Sequence, residues 1–176
     1  VIVVYRTPDY LRRVLDSLES ARLAFSHEII VVDNAPQAGD CRAVAANRPP
    51  VTYVPNACNV GFGRACNQGM RLARGRYLLL LNPDMEVLPG ALAELHALLE
   101  REPDVGIAAP RLHYADGRLQ ESCRTFYTLK IFLLRRTFLG RLFPRSNAIR
   151  AHLLLDWDHE TTRDVDWCIG ACLLAR

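Results

Sequence analysis

Residues 77–84 read YLLLLNPD, an apolar run that ends abruptly in asparagine, proline and aspartate. A run this apolar predicts a strand buried on both faces, as strands at the centre of a parallel sheet are. Its turn-forming end predicts that Asp84 lies at the carboxyl end of that strand. Similar short runs predict four more strands, at residues 1–4, 28–32, 51–54 and 105–109.

Helical patterns lie between these strands. Apolar residues recur at helical spacing over 10–18, and a short helix is expected over 41–46. A third helix is expected around 65–73 with Gly75 as its C-terminal cap, and a fourth over 89–102, which opens on a proline. Strands that alternate with helices imply a doubly wound α/β domain with a mostly parallel sheet flanked by helices. Ligands of such sheets bind at the carboxyl ends of the strands.

The length and composition predict one folded domain. Of the 176 residues, 50% are hydrophobic and 23% charged, which excludes a disordered or fibrous chain. No signal peptide is visible, and no apolar run approaches the ~18 residues that span a bilayer. The chain starts inside an expected strand, without a methionine, and stops after another apolar run. We therefore expect a fragment of a longer protein.

Six cysteines show neither a C-x-x-C pair nor a histidine spacing that suits structural zinc. The chain is rich enough in other apolar residues to form its core without disulfides. Reduced, mostly buried thiols are therefore expected, and with them a reducing compartment, the cytoplasm.

The net charge of +3 is unevenly distributed. Seven lysines and arginines and no acidic residue lie between Glu121 and Asp156, which leaves −4 for the rest of the chain. A basic helical segment is expected over 128–150, after a hairpin around Asp116 and Gly117. From charge alone this segment suits a membrane surface, a phosphate-bearing lipid, nucleic acid, or simply a solvated helical face.

Two strand-end carboxylates are candidate ligand-binding groups. Asp84 suits Mg²⁺ or Mn²⁺, which prefer oxygen donors and leave positions for diphosphate oxygens, although its local sequence taken alone favours a turn or helix cap. Asp33 suits a nucleobase or ribose, although Asp33-Asn34 is also a turn signal. The glycines of 61–63 precede a helix that can receive phosphate, but they form neither G-x-G-x-x-G nor a Walker loop, so nicotinamide and ATP sites are disfavoured.

The combination of motifs resembles a known family. The run NVGFGRACNQG at 59–69, followed by LLNPD at 80–84 and WCIGA at 167–171, is similar to inverting family 2 glycosyltransferases with the GT-A fold. Within that family the rhamnosyltransferase-like members are most similar. The resemblance covers nearly the whole chain.

This resemblance implies a nucleotide-sugar donor and a divalent metal, Mg²⁺ or Mn²⁺. Asp84 then holds the metal as the remaining carboxylate of a D-x-D motif, and Asn82 replaces the first aspartate, which predicts greater dependence on the donor's diphosphate. Arg6 departs from the asparagine that often follows the strand-one tyrosine. The donor-binding residues implied are Tyr5, Asp33, Asn59, Gly61, Asn67, Asn82 and Asp84.

The resemblance also implies an acceptor side. Trp167, Gly170 and Ala171 are expected to bind the acceptor, with Trp167 either stacked on a sugar ring or packed in the core. No catalytic base is assigned, because the family's acidic pair would lie beyond Arg176. Residues 1–110 are then the nucleotide-sugar-binding half, and 111–176 the acceptor-side part of the same domain.

The implied function is transfer of rhamnose from dTDP-rhamnose, with inversion, to a polysaccharide or lipid-linked glycan of the cell wall. A cytoplasmic enzyme in peripheral contact with the anionic inner face of the membrane is expected, without a nucleic-acid partner. Two alternatives remain: a non-catalytic nucleotide-sugar-binding module, and a sugar nucleotidyltransferase. The second would need a glycine-rich basic loop that residues 5–8 do not provide.

Overall fold

A computed structural model describes residues 1–37, 40–46, 48, 51–137 and 146–176. The chain divides into two compact units. The sheet unit consists of Val1–Pro110 together with Gly170–Arg176, and the second unit of Arg111–Ile169. The last seven residues thus belong with the first 110.

The strands in chain order are β1 Ile2–Val4, β2 Ile29–Asp33, β3 Val51–Pro55, β4 Leu78–Leu81, β5 Ile107–Ala108, β6 Leu112–His113, β7 Leu119–Gln120, β8 Cys123–Arg124, β9 Trp167–Cys168 and β10 Cys172–Ala175. In the described chain, the sheet unit holds one six-stranded sheet with the order β3-β2-β1-β4-β10-β5. Strands β1 to β4 are mutually parallel, and β10 is antiparallel to both β4 and β5. The predicted α/β fold with a mostly parallel sheet is confirmed.

The helices of the sheet unit are α1 Pro8–Ser20, α2 Cys41–Ala46, α3 Phe62–Leu72 and α4 Ala91–Arg101. In α1 the initial proline suits the first turn, and Leu11, Val14, Leu15 and Leu18 form its buried stripe. Helix α3 packs on β1 and β2. Their shared core consists of Val3, Ile30, Val32, Ala65 and Cys66.

Gly69 explains how closely α3 approaches the sheet. A Cβ atom placed on Gly69 would overlap the side chain of Val1. This glycine of the 59–69 motif is therefore a packing residue, and its position on the buried face of α3 agrees with that role.

Two predicted details are wrong. Gly75 does not cap α3, because the helix ends at Leu72 and Ala73 is already extended (φ −68°, ψ 141°). The fourth helix begins at Ala91 rather than at the proline, because Gly90 precedes it in the left-handed conformation (φ +83°). Both differences reflect local backbone conformations that residue type alone did not specify.

In its described residues, 111–137 and 146–169, the second unit contains two small sheets, β6–β7 and β8–β9, and two helices, α5 Leu129–Arg136 and α6 Asn147–His152. The predicted hairpin is confirmed: β6 and β7 are antiparallel, and Gly117 has a φ of +83° in the turn. The basic segment forms α5 at its start, while Phe138, Gly140 and Leu142 of its predicted helix lie outside the described residues. Within the described part of the chain, no helix has the length and apolarity needed to cross a membrane.

All six cysteines lie in the described part and are free thiols, and Cys41, Cys66, Cys123 and Cys172 are buried. Burial raises the pKa of the Cys41 and Cys66 thiols. Buried thiols with raised pKa values remain protonated and behave as small apolar side chains.

Candidate functional site

The carboxyl ends of the parallel strands bring the predicted donor residues to one edge of the sheet. Val4 lies opposite Asp33, and Ile2 lies opposite Leu81, the last residue of β4. Strand order reverses between β1 and β4, the position at which open α/β sheets form a binding crevice. This edge is the candidate site.

Asp33 is held rigidly at the end of β2. The residue is only 1% exposed, its Oδ1 accepts a 2.8 Å hydrogen bond from the Ala35 amide, and its Oδ2 accepts a 2.6 Å bond from the Tyr53 hydroxyl. Burial, together with the hydrogen bond to Asp33, raises the pKa of Tyr53. The buried carboxylate of Asp33 therefore accepts two hydrogen bonds, which orient Tyr53 and the loop after β2.

Three amide side chains join the ends of β2 and β3 to α3. The Asn56 Nδ2 donates to Asn34 Oδ1 and to Gln68 Oε1, and Gln68 Nε2 donates back to Asn56 Oδ1, each at 2.9 Å. Asn34 and Asn56 are buried. Buried amides with satisfied partners fix a single geometry, so this amide cluster positions the candidate site.

The sequence pattern does not indicate the roles of Tyr53 or of the amide cluster as a whole. The asparagines at 34 and 56 do carry a signal, because each follows an apolar strand directly. Tyr53 and Gln68 carry none, since their roles depend on neighbours that are distant in sequence.

The start of α3 is shaped by its motif. Asn59 accepts a 2.9 Å hydrogen bond from the Gly61 amide through Oδ1. Gly61 has φ +85°, a conformation that favours glycine. Asn67 is exposed on α3, where it lines a shallow cavity of about 330 Å³ together with Val60, Arg64, Gln68 and Arg71.

The loop after β1 contains backbone strain and an unsatisfied hydroxyl. Arg6 has φ +57°, which costs of order 1 kcal/mol in a residue with a side chain. Its guanidinium lies 5.2 Å from the ring centroid of the exposed Tyr5. The buried Thr7 Oγ1 finds no hydrogen-bond partner among the described residues. Strain and an unpaired buried hydroxyl are both typical of ligand-binding loops, and the sequence pattern did not indicate Thr7.

Asp84 occupies an open turn after β4. The Asn82 carbonyl accepts a 3.3 Å hydrogen bond from the Met85 amide. Asp84 is exposed, and no described residue forms a hydrogen bond or an ion pair with its carboxylate. In the described part of the chain, no group of three or more histidine, cysteine, aspartate or glutamate side chains forms a metal cluster. One free carboxylate fits Mg²⁺ or Mn²⁺ where diphosphate and water supply the remaining oxygens.

The predicted acceptor residues fall in different units. Gly170 and Ala171 lie in the sheet unit just before β10, and Ala171 is buried. Trp167 lies in the second unit, where its Nε1 donates a 3.1 Å hydrogen bond to the Thr125 carbonyl and its ring stacks on Tyr127 at 6.3 Å. Trp167 is thus half-buried and held on one face by another aromatic ring.

The sequence of this chain is similar to those of two proteins with assigned names. The chain is 28% identical over 190 residues to the N-acetylglucosaminyl-diphospho-decaprenol L-rhamnosyltransferase of Mycobacterium tuberculosis, a match that covers 100% of this chain and 60% of the relative. It is 27% identical over 126 residues to the minor teichoic acid biosynthesis protein GgaB of Bacillus subtilis, covering 69% of this chain and 14% of that protein. The chain thus spans less than two thirds of either relative.

Solved structures show the same fold. The mannosyltransferase PcManGT of Pyrobaculum calidifontis, in complex with GDP-Man and Mn²⁺, matches with a TM-score of 0.56 at 21% identity, over 64% of this chain and 34% of that one. TarS 1–349 of S. aureus matches with a TM-score of 0.58 at 19% identity, over 76% of this chain and 42% of that one. These likenesses confirm the predicted GT-A type fold.

The family follows from a match to a family model. Residues 1–154 match the family model described as glycosyl transferase family 2. The matched range includes β1 to β4, Asp33 and the Asp84 turn. The rhamnosyltransferase relative agrees with the predicted resemblance. The chain belongs to glycosyl transferase family 2.

Proposed function

We propose that the protein carrying this chain is a metal-dependent inverting glycosyltransferase whose sheet unit binds the nucleotide-sugar donor at the carboxyl edge of the sheet. The observation that carries the proposal is the exposed carboxylate of Asp84, free of hydrogen bonds and ion pairs with the described residues, beside the reversal of strand order. Membership of family 2 supports the same site.

In this proposal Asp84 holds Mg²⁺ or Mn²⁺, and the ion, when bound, stabilises the charge of the diphosphate leaving group. Asn82 adds no charge to the turn, so Asp84 alone provides little affinity for the ion without the donor. One structural neighbour, PcManGT, is in complex with both GDP-Man and Mn²⁺, which supports a site that takes donor and ion together.

The nucleoside end of the donor is assigned to the loops after β1 and β2. The exposed ring of Tyr5 offers a stacking surface, and the Thr7 hydroxyl offers a hydrogen-bonding group without a partner among the described residues. Asp33 acts there through the charge of its carboxylate and through the hydrogen bond that orients Tyr53. Asn59, Gly61 and Asn67 form the α3 side of the same pocket.

For the donor sugar and the acceptor we propose rhamnose from dTDP-rhamnose and a lipid-linked glycan of cell-wall polysaccharide synthesis. The name of the M. tuberculosis relative supports this assignment. Trp167, Gly170 and Ala171 are assigned to the acceptor. The enzyme would act at the cytoplasmic face of the membrane. Inverting attack also needs a carboxylate base near the acceptor hydroxyl, and we assign that role to none of the residues of this chain.

The test is a transfer assay with the full-length protein, dTDP-rhamnose, Mn²⁺ and a polyprenyl-diphosphate-linked N-acetylglucosamine acceptor. We expect a rhamnosylated product of inverted anomeric configuration by NMR, and loss of product in EDTA. A panel of other nucleotide sugars, scored by Mn²⁺-dependent thermal protection, checks the donor. Donor binding without transfer to any acceptor would favour the non-catalytic module instead.

A further inference from the structure

Four large apolar side chains lie exposed within eight residues of the second unit. Phe126 is 67% exposed, Leu129 75%, Phe132 51% and Leu133 40%. Single exposed apolar residues are common, but such a group along one short segment indicates an interaction site. These four residues are called the apolar surface below.

The local structure explains why these side chains point outwards. Thr128 caps α5, its Oγ1 accepting a 3.2 Å hydrogen bond from the Ile131 amide, so the helix begins directly after Thr128. Ile131 is 5% exposed and is the inward-facing residue of the first turns. Leu129, Phe132 and Leu133 have the spacing i, i+3, i+4, which places them on one stripe away from Ile131. The helix therefore has a second apolar face, and that face is exposed.

The basic sequence of this segment favours one occupant. Lys130 is exposed between Leu129 and Ile131. The sequence between Glu121 and Asp156 holds seven basic residues and no acidic one. Exposed apolar side chains in a sequence segment rich in basic residues are typical of segments that lie in the interface of an anionic bilayer.

We propose that the apolar surface inserts into the interfacial region of an anionic membrane, with Lys130 at the level of the lipid headgroups. The sequence pattern predicts membrane contact through the basic side chains alone. The exposed Phe126, Leu129, Phe132 and Leu133 add a hydrophobic component. The proposed function enters this inference only as the biological purpose of membrane insertion, which is to hold the enzyme near a lipid-linked acceptor.

The salt dependence of vesicle binding distinguishes insertion of apolar side chains from electrostatic adsorption. Attraction between lysine or arginine and anionic headgroups is largely screened at ~1 M salt, where the Debye length is about 3 Å. Burial of apolar side chains in the bilayer is not screened. Inserted protein therefore stays on vesicles at high salt, and adsorbed protein dissociates.

The experiment is co-sedimentation of the full-length protein with vesicles of phosphatidylglycerol and phosphatidylethanolamine at about 0.1 M and about 1 M NaCl. Wild type should bind at both. The double variant Leu129→Ser/Phe132→Ser should bind at least ~10-fold more weakly at both. Lys130→Gln should weaken binding at low salt only. The matched control Leu72→Ser/Ile107→Ser changes two residues of the sheet unit with similar exposures, 50% and 59%, and should bind like wild type.

A second variant tests insertion independently, in case the double variant does not fold. Phe126→Trp adds a fluorophore to the apolar surface, and brominated lipids should quench its added emission in vesicles. Neither assay needs donor or acceptor. A failed transferase assay therefore does not contradict membrane insertion, and failed vesicle binding does not contradict the transferase proposal.

Three results would overturn the inference: wild-type binding that disappears at 1 M NaCl, equal binding by the Leu129→Ser/Phe132→Ser variant, or bound Phe126→Trp protein without quenching. A dimer that the double variant dissociates, with vesicle binding unchanged, would assign the surface to a second copy of the chain.

Discussion

The backbone N–H of Asn82 donates a 2.8 Å hydrogen bond to the carbonyl oxygen of Ala171. Cys172, the next residue, lies opposite Leu81 in the antiparallel pair of β10 and β4. The NPD turn and the end of the WCIGA segment are therefore neighbours in one sheet, although almost ninety positions separate them in the sequence. The turn that carries Asp84 is held in place by the last strand of the chain.

The bond between Tyr53 and Asp33 should contribute measurably to stability. Tyr53→Phe removes the hydroxyl that donates to Asp33 Oδ2 and leaves a buried carboxylate with one fewer partner. We expect a loss of about 1–3 kcal/mol in the free energy of unfolding, measured by urea denaturation. Tyr10→Phe, on the exposed ring of α1, is the control and should change it by less than ~0.5 kcal/mol. Equal effects of the two variants would show that the bond is unimportant.

The amide cluster should respond to loss of one member. Gln68→Ala leaves the Asn56 Oδ1 without its donor, and a buried unsatisfied amide costs about 1–3 kcal/mol. The neighbouring Asn67→Ala removes an exposed amide from the same helix and should leave the unfolding free energy almost unchanged. If Asn67→Ala proves the more destabilising, the positioning role given to the cluster is wrong.

Two glycines of α3 should respond oppositely to alanine. Gly69→Ala puts a methyl group into the side chain of Val1, so it should destabilise the protein by about 1–3 kcal/mol. A Cβ on Gly63 meets no described atom within 4 Å, so Gly63→Ala should stabilise the helix by ~0.5–1 kcal/mol. Thermal unfolding of the two variants measures the contrast, which would be absent if α3 did not pack closely on β1.

Stability should fall at alkaline pH, partly through Cys172. Burial raises the pKa of this thiol from 9.0 to about 11. Between these values the unfolded chain releases the proton and the folded chain keeps it, so the free energy of unfolding falls as pH rises, by roughly 2–3 kcal/mol in total for this thiol. Cys172→Ala should make the decline from pH 9 to 11 shallower. Cys58→Ala, at an exposed thiol, should leave the slope as it is in wild type.

The centre of the sheet was predictable because its signals are local. The runs at 1–4, 28–32 and 77–81 are apolar almost throughout, and β1, β2 and β4 form there. Strands β1 and β2 are buried as predicted, whereas in β4 only Leu81 is buried and Leu78 to Leu80 are half-buried. Strand β10 was not predicted, because an apolar run of four residues does not specify its partners or its direction. Its place between β4 and β5 is decided by packing.

The candidate site was predictable only in part. Asp33 and Asp84 stand where apolar runs end, so their positions at strand ends follow from sequence. The partners of Asp33 do not, because the Tyr53 hydroxyl meets it across 20 positions of the chain. The unsatisfied hydroxyl of Thr7 is likewise visible only once the described residues have folded around it.

The Mn²⁺-dependent rate of sugar transfer by the full-length protein measures whether Asp84 holds the metal. The donor is dTDP-rhamnose or the nucleotide sugar that the panel selects, and Glu86→Gln, which neutralises another exposed carboxylate two residues away, is the matched control. We predict that Asp84→Asn lowers the rate at least ~100-fold with unchanged thermal stability, and that Glu86→Gln keeps the wild-type rate. Wild-type transfer by Asp84→Asn would show that Asp84 does not hold the metal.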